Sequence, residues 1–108
     1  MSDTFARIRA LVARGAIRIS DHGFDELAED DISASEVVAG ILGAIVVDDC
    51  PAAIRGPSVL VLQKDTFGRN VHAVWAIPKD RSEPAVLVTA YRPDPERWSS
   101  DFMKRKMR

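Results

Sequence analysis

One cysteine, Cys50, stands among 108 residues. The chain can therefore close no internal disulfide and build no cysteine-ligated zinc site. Long apolar runs are missing as well. The most apolar stretch, around Ile41 to Val47, falls far short of the roughly 20 residues that span a bilayer. Asp3, Arg7 and Arg9 precede any apolar run, which is not the pattern of a secretory leader. The expected compartment is the cytoplasm, with no membrane partner. No repeat, low-complexity tract or linker interrupts the chain, and its length fits one domain spanning 1–108. Apolar residues make up 46% and charged residues 29%, which excludes a disordered chain and supports one packed core.

Bases are absent from one long stretch. Residues 20–50 hold nine acids and no Lys or Arg, whereas residues 1–19, 51–92 and 93–108 each carry more bases than acids, for a net charge of −1. Two readings stay open. The acids belong to solvated helix faces, or the molecule has a basic surface for an anion and an acidic surface elsewhere.

Helical signals come first along the chain. Phe5, Ile8, Leu11 and Val12 share a stripe before Gly15. Ile17-Arg18-Ile19 alternates as a short strand, and Phe24, Leu27 and Ala28 mark a second helix over Asp21 to Asp30. Ser33 and Glu36 have capping-box spacing ahead of the stripe Val37, Val38, Ile41 and Leu42. After Gly43 the pattern turns β-branched. Ile45 to Val47 is a short run, and Ser58–Lys64, Val71–Ile77 and Ala85–Arg92 are the best strands. Asp65 to Gly68 and Pro78 to Pro84 are their connections. Pro93 and Pro95 stop the last strand, and Trp98 and Phe102 at i, i+4 predict a closing helix over Glu96 to Lys106. The expected class is α+β: N-terminal helices on a small antiparallel meander, with a C-terminal helix.

Symmetric hairpins predict which side chains share a face. A turn through 65–68 opposes Val61 with His72 and Gln63 with Asn70. A loop through 79–84 opposes His72 with Tyr91 and Val74 with Thr89. One face then carries Gln63, Asn70, His72, Thr89 and Tyr91. The other carries Leu60, Leu62, Val71, Trp75, Ile77, Val86 and Val88, and is the expected core.

The polar face suits RNA cleavage without a metal. Such a reaction needs a base for the 2′-hydroxyl, an acid for the leaving 5′-oxygen, and cations for the phosphorane. Histidine serves either proton role near neutral pH. Lys64, Arg69 and Arg92 are the neighbouring cations, arginine gripping phosphate by a fork and lysine as a point charge. A structural role for a strand histidine beside a tyrosine stays open. His22, after Ser20-Asp21, is either a helix-start histidine bonded to backbone or a further acid, base or phosphate ligand. The spacing of the two histidines matches no metal motif, so no metal and no cofactor is expected. Trp75 and Trp98 read as packing residues, with base stacking as the alternative. Lys104 to Arg108 read as a basic helix end or as a phosphate or partner contact.

Several phrases together resemble a known family. They are Ile19-Ser20-Asp21-His22-Gly23, Ile32-Ser33-Ala34-Ser35-Glu36-Val37, Ser58-Val59-Leu60-Val61-Leu62, Gly68-Arg69-Asn70-Val71-His72-Ala73-Val74, and Val88-Thr89-Ala90-Tyr91-Arg92-Pro93-Asp94-Pro95 with Trp98. This order is similar to a bacterial family of domains of unknown function, number 4258 in that series, over about Ile17 to Trp98. Gly23 replaces its usual Ala, Asn70 its usual Pro, and the stretch after His22 is acidic where many members carry a base. The resemblance implies a RelE-like or barnase-like ribonuclease-toxin fold. It also implies a cognate small antitoxin, of zinc-finger or helix-turn-helix type. The matching positions are His22, Arg69, His72, Thr89 and Tyr91. The expectation is a toxin-like, metal-independent endoribonuclease acting on mRNA. In it His72 is the acid or base, Tyr91 a proton donor or orienting group, Thr89 its support and His22 a further member, while Lys64, Arg69 and Arg92 hold phosphate. The alternative is a non-catalytic protein-binding module of the same fold.

Overall fold

Ser2 starts the first helix by accepting the Phe5 N–H at 3.0 Å, and α1 runs Asp3–Ala13 with Phe5, Ile8 and Leu11 buried. The structure, a computed structural model, describes residues 2–106. Strand β1 (Ile17–Ile19) follows, then α2 (Asp21–Glu29), whose first turn is closed by the Ser20 hydroxyl on the Gly23 N–H at 2.9 Å. Helix α3 (Ala34–Gly40) ends in a 3₁₀ turn, Ile41–Gly43. The capping box expected there does not form. The Ser33 hydroxyl bonds that of Ser35 at 2.7 Å, and Glu36 instead accepts the Thr66 N–H at 3.2 Å from a strand connection. Four strands complete the fold: β2 (Ile45–Cys50), β3 (Ser58–Lys64), β4 (Asn70–Ala76) and β5 (Ala85–Tyr91).

The architecture is α+β, with three α-helices and one five-stranded sheet, in the order β1-β5-β4-β3-β2, among the described residues. β2 to β5 form the expected antiparallel meander, but β1 joins β5 in parallel, Ile17 opposite Ala85, so the sheet is mixed. No described helix is long and apolar enough to cross a membrane.

The two central hairpins differ in how they meet expectation. Between β4 and β5, His72 faces Tyr91 and Val74 faces Thr89, as the symmetric loop requires. Between β3 and β4 the register is shifted by one: Leu62 faces His72, Gln63 faces Val71 and Lys64 faces Asn70. The reason lies in the turn, which the Asp65 N–H closes on the Arg69 carbonyl at 2.9 Å, with Gly68 at φ +78°. Five residues lie in that loop instead of four, and one residue of slip turns every side chain over. Gln63 therefore points into the core, where its amide donates to the Val37 carbonyl at 2.9 Å. Leu60 and Leu62 leave the expected core face and share that of His72, only half-buried. A bulge at Val74/Trp75 shifts β5 too, so that Leu87 opposes Trp75 and is wholly buried.

Val59, Val61, Val71, Ala73 and Trp75 share one core with Ile8 and Leu11 of α1, Val37 of α3 and Ile41 of the 3₁₀ turn. α2 lies along β5. Its Gly23 comes so close that a Cβ there would stand 2.8 Å from the Leu87 carbonyl oxygen, and Ser20 donates to the Val88 carbonyl at 2.8 Å.

The closing helix is absent. Residues 96–106 form turns joined by one bridge, Trp98 with Arg105. Short polar side chains take the backbone groups a helix would use. Asp94 accepts the Glu96 N–H, Asp101 accepts the Met103 N–H, and Ser99 Oγ accepts the Lys104 N–H. Phe102 takes φ +59°, which ends any helical path. The segment instead becomes a strap across the face of His72.

Candidate functional site

The strap decides the state of His72. Trp98 packs edge-on against its ring at 4.4 Å between centroids, Tyr91 does so at 5.5 Å, and the Phe102 carbonyl oxygen lies 2.9 Å from Nε2. A carbonyl only accepts, so Nε2 carries the proton and Nδ1, which has no partner, is the bare nitrogen. His72 is 0% exposed. Burial pushes its pKa below the ordinary histidine value; the Phe102 hydrogen bond opposes this and the Arg105 charge adds to it. At neutral pH the ring is uncharged and out of solvent contact. Tyr91 is half-buried. Burial raises its pKa, against the pull of Arg105, so it keeps its proton. Thr89 lies on the same face with its hydroxyl buried and unpartnered.

The structure thus brings His72, Thr89 and Tyr91 together and keeps them opposite Trp75 in the sheet. His22 does not join them: its side chain is 65% exposed at the start of α2, paired with Glu26 at 3.4 Å.

The three expected cations gather at the same end of the sheet, each with a partner, two of them in ion pairs. Lys64 Nζ donates to Asn70 Oδ1 at 3.1 Å. Arg69 and Arg92 both reach Asp65 Oδ2, at 3.2 and 3.0 Å. Asp65 also accepts the N–H groups of Phe67 and Arg69 at 2.9 Å, and its side chain is 2% exposed. Burial would raise its pKa, but those N–H groups and the two guanidiniums outweigh it and hold the carboxyl below its ordinary range. Asp65 is an organising residue that the sequence reading left as a turn position. Its i, i+4 spacing to Arg69 was the available signal.

Beyond Tyr91 a cleft of about 320 Å³ opens between the end of β5 and the strap, lined by Tyr91, Arg92, Asp94, Arg97, Trp98 and Arg105. The Arg105 guanidinium lies 5.2 Å over the Trp98 ring. His72 stands directly behind two of the lining rings. Arg97 is not singled out by the sequence, and Arg105 enters there only within the basic tail Lys104 to Arg108, because a strap rather than a helix is what sets the two beside Arg92. A larger cavity of about 580 Å³ lies on the other side of the strap, bounded by Leu62, Gln63, Lys64, Asn70, Asp101 and Phe102 among others. Among the described residues no cluster of three or more His, Cys, Asp or Glu is arranged to hold a metal ion.

The acidic stretch is not confined to the far side. α2 runs beside β5, and Asp30 at its end accepts the Arg92 N–H at 2.8 Å.

The molecule is a small α+β domain whose polar sheet face is roofed by its own C-terminal strap. Residues 19–92 match the family described as a domain of unknown function (DUF4258), and the chain belongs to that family. The matched stretch holds His22, Lys64, Arg69, His72, Thr89, Tyr91 and Arg92, whereas the strap with Arg97, Trp98 and Arg105 lies beyond it. No curated protein and no solved structure matches the chain.

Proposed function

We propose that this chain is a cytoplasmic, metal-independent endoribonuclease of the bacterial toxin type, RelE-like or barnase-like in fold, with mRNA as substrate and a small cognate antitoxin as partner. The observation that supports it best is the His72–Tyr91 cross-strand pair behind an arginine-lined cleft. In the reaction a base takes the 2′-hydroxyl proton, O2′ bonds to phosphorus, the bond to O5′ breaks, and an acid returns a proton to O5′. Tyr91 reaches the cleft and carries a proton at neutral pH, which suits it to the acid role. Arg92, held by Asp65, faces the developing phosphorane charge. His72 suits the base role through its neutral ring, with the unprotonated Nδ1 as the proton acceptor and the Nε2–H bond to the Phe102 carbonyl fixing that tautomer. Thr89 supports the pair. Lys64 and Arg69 extend the basic edge. His22 sits apart and is the outermost member of the set.

One observation favours the second reading, a protein-binding module without catalysis: His72 has no exposed surface and its Nε2 is occupied. Induced expression with and without the neighbouring gene tests the two, with growth and RNA integrity followed. RNA cleavage and growth arrest relieved by the neighbouring gene product support the nuclease. Intact RNA under full expression of the chain alone supports the binding module.

A further inference from the structure

We infer that the cleft between the end of β5 and the strap is a phosphate-binding site, built for the backbone of single-stranded RNA and completed by Arg97 and Arg105. This deepens the nuclease reading by naming where its substrate is gripped.

Three guanidiniums and one carboxylate line the cleft, so its own charge favours an anion. Its parts are held in place before any ligand arrives. Arg92 is fixed by Asp65 at 3.0 Å and leaves Nη1 without a partner. On the strap, the bridge between Trp98 and Arg105 and the bond from the Lys106 N–H to the Arg97 carbonyl at 2.9 Å hold the segments carrying Arg97 and Arg105 side by side. Stacking on Trp98 steadies Arg105 further. Asp94 works mainly as the cap of its own turn, through the Glu96 N–H at 2.8 Å, and stands 3.9 Å from Arg97 Nε.

The geometry prefers phosphate to carboxylate. A carboxylate holds its two oxygens in one plane, whereas the oxygens of a phosphate diester and its neighbours point in several directions and carry charge to arginines on both walls of the cleft. Trp98 is 6% exposed and already covered by Arg105, so the cleft offers no free indole face for a base. Recognition then falls on phosphate rather than on base identity, and binding weakens steeply with salt.

The test is titration of the full chain, read at the Trp98 indole N–H by NMR with Trp75, wholly buried in the core, as internal reference. Three phosphate probes are used: inorganic phosphate, AMP, and a short 2′-O-methyl RNA that cannot be cleaved. A glutamate-rich peptide is the fourth. The RNA should shift Trp98 and not Trp75. Arg105→Gln and Arg97→Gln should each weaken binding about tenfold, as loss of one charge-assisted contact does, while Arg81→Gln, on the exposed loop before β5, leaves it unchanged. Saturation by inorganic phosphate or AMP assigns the site to single phosphate groups, and a requirement for RNA assigns it to the backbone; either upholds phosphate recognition. Affinity unchanged within twofold in both strap variants, or a response to the glutamate-rich peptide alone, overturns it. Because the RNA is uncleavable, binding without any nuclease activity elsewhere would sink the nuclease reading and leave this inference standing.

Discussion

Acidifying the protein should loosen it through one side chain. His72 is buried, neutral and hydrogen-bonded by Nε2 to Phe102, with Tyr91, Trp98 and Arg105 around it. Its pKa is lowered on folding, so the unfolded chain binds a proton more readily than the folded one. Stability is then unaffected above the unfolded value of about 6.5, and falls as pH drops from there through the folded value. Within that window the loss approaches about 1.4 kcal/mol per pH unit. For a chain near 100 residues this is roughly 6 °C of melting temperature per pH unit. The carboxylates with lowered values, Asp65, Glu83 and Asp101, lose their contributions only as pH falls below about 4.5, so the windows separate. Thermal melts from pH 8 to pH 5 on the wild type and on His72→Gln read the effect directly. Glutamine keeps an N–H for the Phe102 carbonyl and cannot titrate. The wild type should lose stability between about pH 6.5 and 5, and the variant should stay nearly flat. Parallel profiles for the two proteins would refute the placement of His72 under the strap.

Gly23→Ala, which puts a Cβ 2.8 Å from the Leu87 carbonyl, should cost about 1–3 kcal/mol in urea unfolding, whereas Gly43→Ala, with nothing within 4 Å, should be neutral or slightly stabilising. Asp65→Asn should lower the melting temperature at pH 7 and flatten the fall of stability below pH 4, because the depressed carboxyl that accepts from Arg69 and Arg92 is gone; an unaltered acid limb would count against that role. In the proposed mechanism guanidiniums rather than a metal carry the phosphorane charge, so RNA cleavage should persist in EDTA and fall steeply with salt; activity lost in EDTA and restored by Mg²⁺ or Zn²⁺ would contradict it.

Much of this fold is legible in local pattern, and the exceptions have physical causes. The β4–β5 pairing matches the symmetric reading at His72 with Tyr91 and Val74 with Thr89, but nearer the loop it is off by one, and the bulge at Val74/Trp75 makes up the difference. The β3–β4 pairing does not match, because Asp65 closes a five-residue loop and the resulting slip exchanges Gln63 for Leu62 across the sheet. The parallel edge strand β1 carries only three residues, too few for periodicity to give its direction. The apolar spacing of Trp98 and Phe102 reads as a helix, but Ser99 and Asp101 take its hydrogen bonds, and the cleft with Arg97 and Arg105 exists only because they do. Residue types and faces thus pointed to the sheet end of the site, while its roof came from tertiary contacts that no local window contains. Of the basic tail, Met107 and Arg108 lie outside the described residues.

The nuclease reading stands or falls on purified protein, and the direct measurement is cleavage of a single-stranded RNA in EDTA by the wild type, His72→Ala and Tyr91→Phe, each with a thermal melt. The wild type should cleave the RNA to a 2′,3′-cyclic phosphate. Each variant that still melts cooperatively should lose about 10²–10⁴ in rate. Wild-type protein that leaves the RNA intact, or folded variants that cleave within about twofold of it, would contradict the central claim, being far below the cost of removing an acid or base.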